Sequence, residues 1–226
     1  MASDPKNSAG RIGSDFKDDI INLWKTKESP DFEYFVQADS ESWLNGMWID
    51  GSPFRKLFDK MELTRTAEIA CGFGRHSSKI VDRCEELYLI DTSVDGLNVA
   101  RERFSSHPHV KFILSEDGVS LPGIDDGSLT AVFSYDAMVH FEPLTMASYI
   151  AECGRTLKTG GMACLHHSNY SGNPTGRIDK VPGWRNYMTL DLLSHFASRS
   201  SLFVAEPIVI DWSFEGSDRI TLLVRQ

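Results

Sequence analysis

The chain has 226 residues, room for one substantial domain, and its apolar and charged fractions (41% and 24%) are those of a globular protein rather than a disordered or membrane-embedded one. A net charge of -9 argues against a broad nucleic-acid footprint, which needs clustered Lys and Arg. The four cysteines stand far apart with no CxxC pair, which argues against a zinc site or a disulfide framework.

The polar opening MASDPKNSAGRIGSD lacks the apolar core of a signal peptide and reads as a frayed N-terminus. No apolar run reaches membrane-spanning length, so the sequence predicts a cytoplasmic protein. Up to about Leu63 the pattern is helical and aromatic: FKDDIINLWKTK, SESWLNGMW and FRKLFDKMEL, with a turn at Asp50-Gly51-Ser52-Pro53. Residues 1–63 are therefore expected to form a flexible N-terminus and a helical cap, and residues 64–226 the core.

From Thr64 strand-length apolar runs (AEIAC, ELYLID, VKFIL, LTAVFSYD, GMACLHH) alternate with helical stretches (HSSKIVDRC, SVDGLNVARERF, PLTMASYIAECGRTL, TLDLLSHFASRS). Strands separated by helices predict a parallel sheet with helices on both faces. The last two strands, LFVAEPIVIDW and RITLLVRQ, are joined by Ser213–Asp218 alone, too short for a crossover, and should pair antiparallel. The fold class is thus α/β, Rossmann-like and seven-stranded, with an antiparallel C-terminal strand.

The first strand runs into Gly72-Phe73-Gly74, where glycine lets the backbone approach a ligand, and a helix is expected to open near Arg75 with free N–H groups. Asp91 ends the second strand, nineteen positions beyond Gly72, where a carboxylate can accept from ribose hydroxyls. A dinucleotide turn would carry glycine at Ser77, and Glu68 would repel a pyrophosphate. An ammonium- and sulfonium-bearing ligand suits the turn better.

Taken together, Thr64 to Gln226 resembles a class I S-adenosylmethionine-dependent methyltransferase. The family's acidic residue followed by G-x-G-x-G reads Glu68-Ile69-Ala70-Cys71-Gly72-Phe73-Gly74, with Ala70 in place of the first glycine. The resemblance implies S-adenosylmethionine as cofactor. It also implies roles: Glu68 for the loop or the methionine amino group, Ala70, Gly72, Gly74 and Arg75 in the cofactor turn, and Asp91 with Thr92 at the ribose. Within SEDG it places Asp117 at the exocyclic amine and Gly118 at the ring, and in SYDA it places Tyr135 and Asp136 beside the methyl donor. In RTLKTGGMACLHH, Thr159 replaces the usual proline of the turn. SYDA also differs from the Asn-Pro-Pro-Tyr type of nucleic-acid amino-methylating enzymes.

Catalytic candidates are His140, Asp136, His166 and His167, with His140 the candidate general base and at most one of the adjacent histidines facing the site. These side chains also have donor types for a divalent cation, although the spacing is not that of a known metal site, and no metal is assigned. The loop from Ser168 to Met188 offers Asn169, Tyr170, Asn173, Arg177, Trp184, Arg185, Asn186 and Tyr187; of these, Tyr170, Arg177, Trp184 and Arg185 are the substrate candidates, the two arginines suiting a carboxylate or phosphate. Trp43, Trp48 and Phe54 suit a cap over the cofactor or plain core packing. The expected activity is methylation of an oxygen or nitrogen on a small polar metabolite or sugar, without nucleic-acid or membrane partners; a homodimer is compatible with it. An NAD-type oxidoreductase and a non-catalytic cofactor-binding scaffold are the alternatives.

Overall fold

The computed structural model describes residues 37–172 and 182–226, with Asp18 and Asn22 as isolated positions. Apart from those two positions, the helix expected over FKDDIINLWKTK, and Asn173 and Arg177, lie outside the described residues. Two short helices, α1 (Glu41–Trp48) and α2 (Pro53–Phe58), precede β1 (Arg65–Ile69), β2 (Glu86–Asp91), α3 (Val94–Arg103), β3 (Val110–Leu114) and β4 (Leu129–Ser134). Then come α4 (Pro143–Thr156), β5 (Leu157–Ser168), α5 (Leu190–Arg199), β6 (Leu202–Ile210) and β7 (Asp218–Arg225). Every one of these helices starts on a side chain that accepts a backbone N–H: Ser40, Ser52, Ser93, Glu142 and Thr189. None of the described helices is long and apolar enough to cross a membrane.

The seven strands lie in the order β3-β2-β1-β4-β5-β7-β6. The first five pair in parallel, and β7 runs antiparallel to both β5 and β6, as the short Ser213–Asp218 connection requires. Chain order reverses between β1 and β4, so the crevice beyond their carboxyl ends is the place this topology reserves for a ligand.

Strand alternation sorts the side chains between two layers. Leu87, Leu89, Ala131, Phe133, Tyr135 and Cys164 face a cluster with Trp48, Phe54, Leu57 and Phe58 of the N-terminal helices and Leu97 of α3. Ala67, Ile69, Tyr88, Ile90, Val132, Ala163 and Leu165 face the opposite cluster, with Ile150 of α4 and Leu193 of α5. Glu68 and His166 take the parity of the first set, and His167 that of the second. Phe54 stacks on Tyr135 at 3.9 Å between ring centroids, which seats α2 over the end of β4.

One predicted element differs. HSSKIVDRC forms no α-helix; it forms two single 3-10 turns, Ser77–Lys79 and Val81–Arg83. The two serines spend their hydroxyls locally, Ser77 on Glu68 and Ser78 on the Arg75 carbonyl at 2.6 Å, which competes with a regular helix. The helix N-terminus expected near Arg75 is therefore absent.

Candidate functional site

The turn after β1 passes through three left-handed residues: Ala70 (φ 56°), Gly72 (φ 51°) and Gly74 (φ 74°). Glycine adopts these angles without cost, whereas alanine at position 70 costs about 1–2 kcal/mol. A Cβ on Gly74 would lie 2.5 Å from Phe104 Cε2, so close packing as well as dihedral angle demands glycine there. The turn's amides are already ordered: Gly72 N–H donates to Asp91 Oδ2 at 2.8 Å and Gly74 N–H to the Cys71 carbonyl at 2.8 Å.

Glu68 lies beneath this turn, 1% exposed, and accepts a hydrogen bond from Ser77 Oγ. Burial pushes its carboxyl up to about 8, against the opposing pull of Ser77 and the Arg75 charge. Asp91 caps the end of β2, its second oxygen accepting from Ser93 N–H at 3.0 Å; burial raises its pKa despite the amides that favour the anion. Thr92, beside it, is half-buried. Beyond β3, burial would raise Asp117, but the Val119 and Ser120 amides (3.0 Å each) and the Ser120 hydroxyl prevail and lower it. Gly118 follows in the left-handed region at φ 63°.

Beyond β4 the chain makes a second left-handed turn, at Asp136 (φ 59°). A non-glycine residue held there is strained and is kept so by its neighbours. The Asp136 carboxylate pairs with Arg75 Nη2 at 2.8 Å, both side chains being largely buried. Its backbone N–H donates to His166 Nδ1 at 3.1 Å. Arg75 belongs to the first turn, so this ion pair joins the ends of β1 and β4 across the switch point.

A cavity of about 1210 Å³ opens on the far side of Asp136. Its walls come from α1 and α2 (Trp43, Met47, Pro53), the exit of β4 (Tyr135, Asp136, His140), residues 183–185 and the β6–β7 hairpin (Trp212, Ser213). Of the predicted site residues, Tyr135, Asp136, His140, Trp184 and Arg185 meet here; Glu68, Ala70, Gly72 and Asp91 gather at the neighbouring turn, and Asp117 stands just beyond β3.

His140 donates Nδ1–H to the Trp184 carbonyl at 2.7 Å, which makes Nε2 its basic nitrogen, and burial holds its pKa down to about 4. Arg185 has its guanidinium engaged within the protein: Nε and Nη2 fork onto Asp218 at 2.7 and 2.5 Å, and Nη1 donates to the Gly183 carbonyl at 2.6 Å. His166 is buried beneath the cavity wall, against the rings of Tyr135 and Trp212. With Nδ1 accepting from Asp136, its Nε2–H donates to Asp218 Oδ2 at 3.1 Å. Burial would raise Asp218, yet Arg185 and His166 hold its carboxyl at about 2.

His167 points to the opposite face of the sheet. It is buried, with both nitrogens bound, Nδ1 to the Ser168 carbonyl and Nε2 to Thr221 Oγ1, each at 2.8 Å, and burial lowers its pKa to about 3. Tyr170 pairs with Tyr187 and packs edge-on against Phe214, outside the cavity lining. Among the described residues no three His, Cys, Asp or Glu side chains are grouped to hold a metal ion.

Asp218, Trp212 and Ser213 were not visible as site residues in the sequence. Asp218 opens β7 at the end of SFEGSD and in sequence resembles an ordinary turn residue; its partners Arg185 and His166 are 33 and 52 positions away.

Residues 67–161 match the methyltransferase domain family. Curated proteins gave no match. Among solved structures, geranyl diphosphate C-methyltransferase from Streptomyces coelicolor A3(2), in complex with Mg2+, geranyl diphosphate and S-adenosyl-L-homocysteine, superposes with a TM-score of 0.67. It is 12% identical, over 92% of this chain and 96% of that one. Magnesium protoporphyrin IX methyltransferase from Synechocystis PCC 6803, with bound S-adenosylhomocysteine, gives 0.65 at 16% identity, over 93% and 100%. The cyclase SpnF gives 0.62 at 13%, over 76% and 79%. Likeness at such identities establishes the fold and leaves the chemistry to the site. Residues 67–161 are thus similar to the methyltransferase domain family, and the chain has the Rossmann-like fold of solved S-adenosylhomocysteine-bound methyltransferases.

Proposed function

We propose that the protein transfers a methyl group from S-adenosylmethionine to an oxygen or nitrogen of a small molecule held in the cavity beyond Asp136. The observation that carries this reading is Asp136 itself. It is fixed at a left-handed turn, paired with Arg75 of the glycine turn on one side and lining the cavity on the other. Two compartments meeting at one largely buried carboxylate suit a reaction between two bound partners, where positioning supplies much of the rate.

The residues present fit the cofactor. Carboxylates at the carboxyl-end edge of three adjacent strands (Glu68, Asp91, and Asp117 just beyond β3) suit an ammonium, ribose hydroxyls and a ring amine, and they disfavour a pyrophosphate. When bound, the cofactor supplies an electrophilic methyl group on a sulfonium. Gly72 and Gly74 let the backbone approach it, and Tyr135 and Asp136 wall the passage to the acceptor. His140 is unprotonated throughout the neutral range. A base with a pKa of about 4 takes a proton from an oxygen only once that oxygen has become strongly acidic, as it does when the new carbon–oxygen bond forms.

The walls support an acceptor with a stackable face. Trp43, Trp184, Trp212 and Tyr135 offer rings for a sugar or an aromatic body, and Asp211 adds negative charge, the Asp136 carboxylate being paired with Arg75. Arg185, the cationic side chain among the described lining residues, is engaged by Asp218 and Gly183. The acidic net charge likewise favours a small-molecule partner over a nucleic acid, and the reading keeps the cytoplasm as the setting.

The test is S-adenosylhomocysteine release across a panel of matched acceptors. Neutral or basic ring compounds with a hydroxyl or amine are expected to turn over, and their phosphorylated or carboxylated counterparts to have kcat/KM lower by about tenfold or more. A preference for the anionic members would overturn the acceptor assignment. Cofactor binding with no turnover across the whole panel would favour a non-methylating use of the fold, as the cyclase neighbour illustrates.

A further inference from the structure

We propose that Asp218 and His166 are positioning residues that couple the cofactor turn to the segment 183–188, so that filling the turn orders the acceptor wall. The inference rests on the proposed function for the identity of the ligand in the turn.

A continuous hydrogen-bonded chain links the two compartments. It starts at the Gly183 carbonyl, which accepts from Arg185 Nη1 at 2.6 Å, and passes to Asp218 through the bidentate fork at 2.7 and 2.5 Å. From Asp218 it continues to His166 Nε2 at 3.1 Å, through the ring to Nδ1, and on to the backbone N–H of Asp136 at 3.1 Å. The Asp136 carboxylate then reaches Arg75 Nη2 at 2.8 Å, in the cofactor turn. The path thus crosses from β7 to β5 to the exit of β4 and ends beyond β1, along the carboxyl-end edge of the parallel strands.

Three features make this more than a strut. Every link is directional: the Asp136 amide fixes Nδ1 of His166 as acceptor, which fixes Nε2 as the donor to Asp218. The central members are sealed from water, Asp218 and His166 both at 0% exposure, so no solvent can replace a broken link. Strained backbone stands near both ends, with Asp136 at φ 59° and Trp184 at φ 54°, and such turns persist only while their surroundings hold them. A shift of Arg75 on cofactor binding therefore bears on Asp136, and through His166 and Asp218 on Arg185 and the wall that carries Trp184.

Hydrogen–deuterium exchange with S-adenosylhomocysteine as the probe tests the coupling. The reporters are the amides of Asn186 and Met188, which donate to the Val139 and Tyr170 carbonyls at 3.0 and 2.9 Å. In the wild-type chain, saturating probe is expected to slow their exchange by about fivefold or more. In Asp218→Asn the probe should still protect the turn at residues 72–78 while the response at 186 and 188 falls below about twofold. His166→Leu, which leaves the Arg185–Asp218 pair intact, should give the same loss and serves if Asp218→Asn does not fold. A merely structural role would change the absolute exchange rates and leave the ratio with and without probe unaltered. Probe binding with no response at 186 and 188 in the wild type, or a wild-type response retained in a folded variant, overturns the coupling alone. Failure of the probe to bind overturns the cofactor assignment and the coupling with it.

Discussion

Glu68→Gln is expected to make the ligand-free protein more stable at pH 8 relative to wild type than it does at pH 5, while weakening S-adenosylhomocysteine binding by about tenfold or more. Glu68 is buried, and its folded-state pKa of about 8 lies above the ordinary 4.5. Between those values the folded protein keeps a proton that the unfolded chain has released. The stability this contributes is complete below pH 4.5 and is lost as pH rises through about 8. Glutamine keeps an acceptor for Ser77 and has no proton to lose, so the variant escapes that decline. In the proposed role, however, the ligand's ammonium needs the carboxylate. Binding should therefore release a proton below pH 8, visible as a dependence of the calorimetric heat on the buffer's ionisation enthalpy. Thermal melts at the two pH values check the first half. A wild-type-minus-variant difference that is flat with pH would contradict the burial argument.

Arg185→Met is expected to cost about 3–5 kcal/mol of folding stability, because it leaves Asp218 charged and buried without its principal partner. That is a large share of the roughly 5–15 kcal/mol available to a domain. Urea unfolding measures it directly. The double variant Arg185→Met with Asp218→Leu should recover most of the loss, since replacing both charges leaves no uncompensated ion. The sequence suggested a different role for this arginine, holding a substrate anion. If that role dominated, Arg185→Met would remain within about 1 kcal/mol of wild type in urea and raise only the KM of an acidic acceptor.

These two residues mark where the sequence was legible. The architecture followed from apolar period and spacing: ELYLID and VKFIL coincide with β2 and β3, and the short Ser213–Asp218 link required the antiparallel pairing of β6 and β7. The features of the cofactor turn are local, and Ala70, the one departure from the glycine pattern, occupies a left-handed position. HSSKIVDRC misled because its apolar spacing suits a helix while its serine hydroxyls are drawn to Glu68 and the Arg75 carbonyl, a competition that pattern does not register. The adjacent histidines of β5 were separable only as opposite-facing neighbours; the structure puts His166 beneath the cavity and His167 behind the sheet. Asp218 was beyond reach for a topological reason. Its partners come from a loop and a strand brought together only when the sheet closes. The family match ends at residue 161, so most of the cavity wall, from α1 and α2 to the β6–β7 hairpin, lies outside the shared domain.

Whether the turn at Gly72 holds S-adenosylmethionine is decided by calorimetric titration of the wild-type chain and Gly72→Val with S-adenosylhomocysteine and with NAD. The variant places a branched side chain at a φ of 51°, a region essentially closed to valine. Saturable one-site binding of S-adenosylhomocysteine to the wild type is expected, with its loss in the variant and no binding of NAD to either. Saturable NAD binding, or S-adenosylhomocysteine binding that a folded Gly72→Val retains, would contradict that assignment.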